Sequence, residues 1–137
     1  MREDLSRFRA ATSVKKPVVL VVDDSPVLLR NVKEMLGNRY DVMLAPSGPK
    51  ALSMMGKKCP DVVLLDYEMP ECDGKETFKM IRDKEEFAHV LIVFLTGNDS
   101  ADHIGTIQSL DPDGYVIKPA SVEKLTDAIE AAIKGKN

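Results

Sequence analysis

No apolar run in this chain approaches the roughly 20 residues that a membrane-spanning helix needs, so a membrane role is not expected. The segment before Pro17 is polar and basic and lacks the apolar stretch of a secretory signal. Cysteine is scarce. Cys59 and Cys72 sit at a spacing that suits neither zinc nor a redox pair and read as free thiols in a reducing compartment. Basic charge is not in excess either: 19 Lys and Arg against 22 Asp and Glu leave a formal charge of −3. No global field therefore draws the chain to nucleic acid. Internal repeats and low-complexity segments are absent. What remains is a cytoplasmic globule. At 137 residues, 44% apolar and 30% charged, it has enough chain for one core and too little for two.

Residues 1–16 stand apart as a basic leader. Such a leader reads as frayed, with a short docking helix through Leu5 and Phe8 as the alternative. From Pro17 the pattern changes. Val18-Val19-Leu20-Val21-Val22 is apolar throughout, mostly β-branched, and stops at Asp23-Asp24. Short runs without alternation mark strands covered on both faces, as in a parallel sheet. Two more follow at 62–65 and 90–95, and two weaker ones at 41–44 and 114–117. Between them lie segments of helical period. The first has Leu28, Leu29, Val32, Met35 and Leu36 on one face, with Ser25 or Asp24 as its cap. The second begins near Pro49, and Asp73-Gly74 opens the third. Ile104, Ile107 and Leu110 mark a short fourth. The fifth, 121–134, starts at Ser121 and turns Leu125, Ile129, Ala132 and Ile133 inward. Strands alternating with helices imply right-handed crossovers. The expected fold is α/β: a doubly wound (βα)5 domain over 17–134, flavodoxin-like with strand order 2-1-3-4-5, and a short tail at 135–137.

Open α/β sheets place their sites beyond the carboxyl ends of the strands. There this chain carries Asp23 and Asp24 after the first strand, Asp66 after the third, Thr96 before Gly97 after the fourth, and Lys118 before Pro119 after the fifth. Each has a bland explanation taken alone; an Asp pair after a strand is commonly a helix cap. Their joint occurrence at four strand ends is what carries chemistry. Three converging carboxylates repel one another unless a cation intervenes, and oxygen ligands favour Mg²⁺ over zinc or copper. With Lys118 as a fixed positive charge and Thr96 as a hydroxyl donor, the set suits a phosphoryl group and leaves a carboxylate as nucleophile.

In four pieces, VLVVDDSP, VVLLDYEMPECDG, VFLTG and GYVIKP, the chain from Pro17 to about Ile133 resembles the receiver domain of two-component response regulators. The resemblance implies that Asp66 is the phosphoacceptor, supplied by a histidine kinase, a phosphotransfer protein or a small acyl phosphate. It implies Mg²⁺ on Asp24, Asp66 and the Glu68 backbone carbonyl, with Asp23 acting mainly through water. Lys118 would pair with the phosphoryl oxygens, ahead of a cis bond to Pro119. Thr96 and Tyr115 would be the switch pair, presented on the surface of the fourth helix, fifth strand and fifth helix to a downstream protein or output domain. Phosphorylation-linked dimers occur among such relatives. Glu68 and Asn98 fall at positions that tune phosphoryl lifetime. Cys72 reads as an incidental thiol, and His103 is expected on the exposed face of the fourth helix, with His89 at the entry to the fourth strand.

Three rivals remain. Glu68, two residues after Asp66, has the spacing of the general acid in an aspartate-nucleophile phosphatase, but the Asp23-Asp24 pair and the Met69-Pro70 turn oppose that enzyme. A flavodoxin would need a phosphate loop where this chain has two acids. A pseudo-receiver would lack a required residue, and none is missing. No turnover enzyme is expected. A stand-alone receiver acting through partners is expected, with a piece of a larger regulator or hybrid kinase as the alternative.

Overall fold

The structure, a computed structural model, describes residues 15–70 and 72–135. Most of the basic leader and the end of the tail lie outside them. Among the described residues, five strands alternate with five helices: β1 (Val18–Val22), α1 (Pro26–Leu36), β2 (Asp41–Ala45), α2 (Gly48–Lys57), β3 (Val62–Asp66), α3 (Gly74–Arg82), β4 (Leu91–Thr96), α4 (Ala101–Ser109), β5 (Gly114–Ile117) and α5 (Val122–Gly135). A 3₁₀ turn over Glu85–Phe87 precedes β4. All ladders are parallel, in the order β2-β1-β3-β4-β5. This is the 2-1-3-4-5 order expected of a doubly wound domain.

The three long apolar runs became the three central strands, and every residue of β3 and β4 is buried. The two weaker runs lie at the sheet edges, where one flank is open and the burial requirement is relaxed. Alternation along each strand separates two cores. Val19, Val21, Val62, Leu64, Val93 and Leu95 face α1 and α5 and meet Leu29, Leu36, Leu125 and Ile129. Leu20, Val22, Val63, Leu65, Ile92 and Phe94 face the other way, toward Met55 of α2, Phe78 and Ile81 of α3 and Ile107 of α4. Each fully buried Leu, Ile or Val contributes roughly 1.5–3 kcal/mol of transfer free energy.

The helix starts follow local chemistry. Ser25, rather than Asp24, caps α1 by accepting from the Leu28 amide. Ser47, Asp73, Ser100 and Ser121 do the same for α2, α3, α4 and α5. Arg82 closes the far end of the sheet. Its guanidinium donates to the Val90 carbonyl at 2.7 Å and to Asp113 Oδ2 at 3.0 Å, and that oxygen also accepts from the Ile92 amide at 2.8 Å. Replacing Arg82 with methionine keeps the stem, takes the guanidinium from the Val90 carbonyl and leaves Asp113 Oδ2 with the Ile92 amide. It is expected to cost about 1.5 kcal/mol in chemical denaturation.

Candidate functional site

Strand parity decides which side chains meet. In the register, Val22 of β1 lies beside Leu65 of β3. One step further sets Asp23 beside Asp66, on the α1/α5 side shared by Val21 and Leu64. Both carboxylates are buried, each 1% exposed, whereas Asp24 is exposed. Lys118 reaches them from beyond β5. Its Nζ donates to Asp66 Oδ1 at 3.1 Å and to Asp23 Oδ2 at 3.2 Å. The Lys118–Pro119 bond is cis, as the resemblance implied.

Backbone amides complete the shell. The Ser25 amide donates to Asp23 Oδ1 at 2.9 Å, and the Glu68 amide to Asp66 Oδ1 at 3.1 Å. Asp66 Oδ2 accepts from none of the described residues. Gly74, at the start of α3, lies directly against the Asp66–Tyr67 backbone and donates its amide to the Tyr67 carbonyl at 3.1 Å.

Charge and burial oppose each other here. Burial, then the Asp23 charge, pushes the Asp66 carboxyl from 3.8 up to about 6, although Lys118 and the Glu68 amide pull it down. Burial disfavours the Lys118 ammonium, but the hydrogen bonds and charges of Asp66 and Asp23 outweigh it, holding that group above its ordinary value. Oxygens of Asp23, Asp24 and Asp66 all lie within 4.8 Å of one another. Such an all-carboxylate donor set, open at Asp24, fits a hard divalent cation.

Thr96 has the opposite parity and joins a different group. Its hydroxyl donates to Glu68 Oε2 and lies 2.8 Å from Nε2 of His103. Glu68 Oε1 accepts from the Gly97 amide at 3.0 Å. Asn98 folds back on its own loop, its side-chain oxygen accepting from the Ser100 amide. Tyr115 stands outward, 37% exposed.

His103 is not where it was expected. Its side chain is only 16% exposed and turns onto Thr96 and Glu68 rather than to solvent. The signal that places it is the cap: Ser100 starts α4, so His103 falls in the first turn, back over the end of β4. Cys72 is half-buried, its Sγ 3.5 Å from the Thr77 hydroxyl. Cys59 is exposed, 3.8 Å from His89 at the entry to β4.

A family model, the response regulator receiver domain, matches residues 19–130. The chain belongs to the response regulator receiver family. This receiver is 34% identical over 117 residues to the transcriptional regulatory protein TrcR of Mycobacterium tuberculosis, covering 85% of this chain and 45% of TrcR. It is 31% identical over 121 residues to the sensor histidine kinase TmoS of Ectopseudomonas mendocina, covering 88% of this chain and 12% of TmoS. The receiver thus spans less than half the length of either relative. Among solved structures, the chemotaxis protein CheY4 of Vibrio cholerae superposes with a TM-score of 0.80 at 28% identity. That match covers 85% of this chain and 98% of CheY4. No helix among the described residues is long and apolar enough to cross a membrane.

Proposed function

We propose that this receiver is a magnesium-dependent phospho-switch of the cytoplasm whose phosphoacceptor is Asp66. The observation that carries the reading is the arrangement around that one carboxylate. Oδ1 is held by Lys118 and the Glu68 amide, Oδ2 is left open, and Asp23 and Asp24 stand beside it. Asp24, Asp66 and the Glu68 backbone carbonyl would hold Mg²⁺, with Asp23 acting mainly through water, and the ion would supply charge neutralisation for the transferred group.

The chain's own residues do the rest. Asp66 Oδ2 attacks phosphorus and forms the new O–P bond. The donor's bond to phosphorus breaks, and its electron pair leaves with imidazole from a phosphohistidine or acetate from acetyl phosphate. Lys118 holds Oδ1 in place before transfer and turns to the phosphoryl oxygens after it. As the phosphoryl group arrives, Thr96 exchanges its present partners for it, and Tyr115 then moves inward from its exposed position. A shift from 1:99 to 99:1 needs about 5.5 kcal/mol, which two or three charge-assisted hydrogen bonds supply. The surface that changes is α4, β5 and α5, offered to a downstream protein, an output domain or a second copy.

The donor in this reading is a histidine kinase or phosphotransfer protein, and residues 17–134 are the receiver unit. Nucleic acid is not bound by this unit, and no external substrate is turned over beyond the phosphoryl donor. Glu68 and Asn98 tune how long the phosphoryl group survives.

The test is intact mass after incubation with acetyl phosphate. One phosphoryl group is expected to be gained with Mg²⁺, and none with chelator or in Asp66→Asn. Folded, Mg²⁺-loaded protein that gains nothing from acetyl phosphate or from a phosphorylated donor protein would make this a pseudo-receiver instead.

A further inference from the structure

A threonine hydroxyl has one proton and two lone pairs, and at Thr96 all three are engaged. The proton goes to Glu68 Oε2. One lone pair takes the Asn98 amide at 3.2 Å. The other faces His103 Nε2 at 2.8 Å, and since the hydroxyl proton is already committed, Nε2 carries the hydrogen between them. The same N–H lies 3.2 Å from Glu68 Oε2. His103 is itself fixed from behind, its ring edge-on to Tyr67 at 4.9 Å, and Tyr67 edge-on to Phe94 at 5.3 Å.

The Glu68 carboxylate therefore rests on one hydroxyl and one backbone amide, Thr96 and Gly97, with His103 closing the third side. Two oxygens of an anion on an O–H and an N–H at a strand end is how an oxyanion is held. A phosphoryl group on Asp66 would recruit the same Thr96 proton, which cannot serve both.

We propose that His103 is a positioning residue that latches the Glu68 carboxylate onto Thr96 and Gly97, so that Glu68 acts as an internal stand-in for the phosphoryl group. The inference rests on the phospho-switch reading above. Asp66 accepts its phosphoryl group only as Glu68 gives up the Thr96 proton, and the strength of the His103 contact sets how readily that happens.

The experiment measures the initial rate of phosphoryl gain from acetyl phosphate with Mg²⁺, by intact mass, in wild type, His103→Leu, His103→Gln, Glu68→Ala and the double variant His103→Leu/Glu68→Ala. Thermal melts run alongside show which variants are folded. His103→Leu removes the donor and is expected to react about fivefold faster, the worth of one hydrogen bond of about 1 kcal/mol. His103→Gln restores an N–H near the Nε2 position and should return the rate to within about twofold of wild type. Glu68→Ala should react faster than wild type, and adding His103→Leu to it should change nothing further.

A wild-type rate in His103→Leu overturns the latch, as does an equal acceleration by His103→Leu with and without Glu68. Should His103→Leu fail to fold, a wild-type or slower rate in Glu68→Ala overturns it instead. Those failures leave the phospho-switch standing, because wild type still gains its phosphoryl group. Absence of any gain in wild type removes both.

Discussion

In the absence of divalent metal, Asp66→Asn is expected to melt about 10 °C above wild type at pH 7.5 and within about 2 °C of it at pH 4. The cause is the strain of holding a buried carboxylate beside another. In the folded protein the Asp66 carboxyl titrates at about 6, against an ordinary value of 3.8. Below 3.8 both folded and unfolded chains keep the proton, and nothing distinguishes them. Between the two values the folded chain keeps a proton that the unfolded chain has released, so stability falls as pH rises. Above about 6 the loss is complete, on the order of 3 kcal/mol. Asparagine never ionises and escapes the loss, while its amide oxygen still accepts from Lys118. Mg²⁺ should narrow the gap by raising wild type and leaving the variant nearly unmoved, since one of three carboxylates is gone. Calorimetry at both pH values, with chelator and then with Mg²⁺, measures all of this. A variant that melts at or below wild type at pH 7.5 would mean that Asp66 is not destabilised by its surroundings.

Gly74→Ala is the second large effect expected, and it acts through the backbone. A Cβ at Gly74 would lie 2.5 Å from the Asp66 carbonyl oxygen and 2.6 Å from the Tyr67 Cα. Neither atom belongs to a side chain that can rotate away, so α3 or the end of β3 has to move. Overpacking of this kind costs about 3 kcal/mol, a fall of about 10 °C in Tm. The displaced strand end carries Asp66, and its loop carries the Glu68 amide that holds Oδ1, so phosphoryl gain should also drop at least tenfold. Gly105→Ala is the matched control. It lies within α4, its Cβ would meet nothing within 4 Å, and a gain of about 0.5–1 kcal/mol is expected there. Equal behaviour of the two variants would rule out the close approach as the cause.

Much of this architecture is legible in the amino-acid sequence. The uninterrupted runs of β1, β3 and β4 are the strands walled by helices on both faces, and the weaker runs of β2 and β5 are the sheet's edges. The cluster of Asp23, Asp66 and Lys118 follows from reading strand ends. Reading ends alone, however, merges two faces of the sheet. Thr96 ends its strand on the side of Phe94, whereas Asp66 ends its own on the side of Leu64. Counting parity along 91–96 separates them, and the residues themselves permit that count. His103 is harder to place. Helix α4 has nine residues, and of its apolar positions Ile107 alone is fully buried, so hydrophobic period says little about which side faces inward. Only the Ser100 cap, taken together with the end of β4, brings that imidazole to Thr96.

The hydrogen bond from Lys118 to Asp23 joins positions 95 residues apart, and it exists only once β5 lies against β4. A chain still being synthesised can fold β1 beside β2 and then β3, yet it holds two neighbouring acids without Lys118 until β5 and the residue after it have left the ribosome. Under the phospho-switch reading, chains that have not yet made β5 carry no complete acceptor, and a phosphoryl donor meeting a mixture of chains is answered by those in which Lys118 is in place.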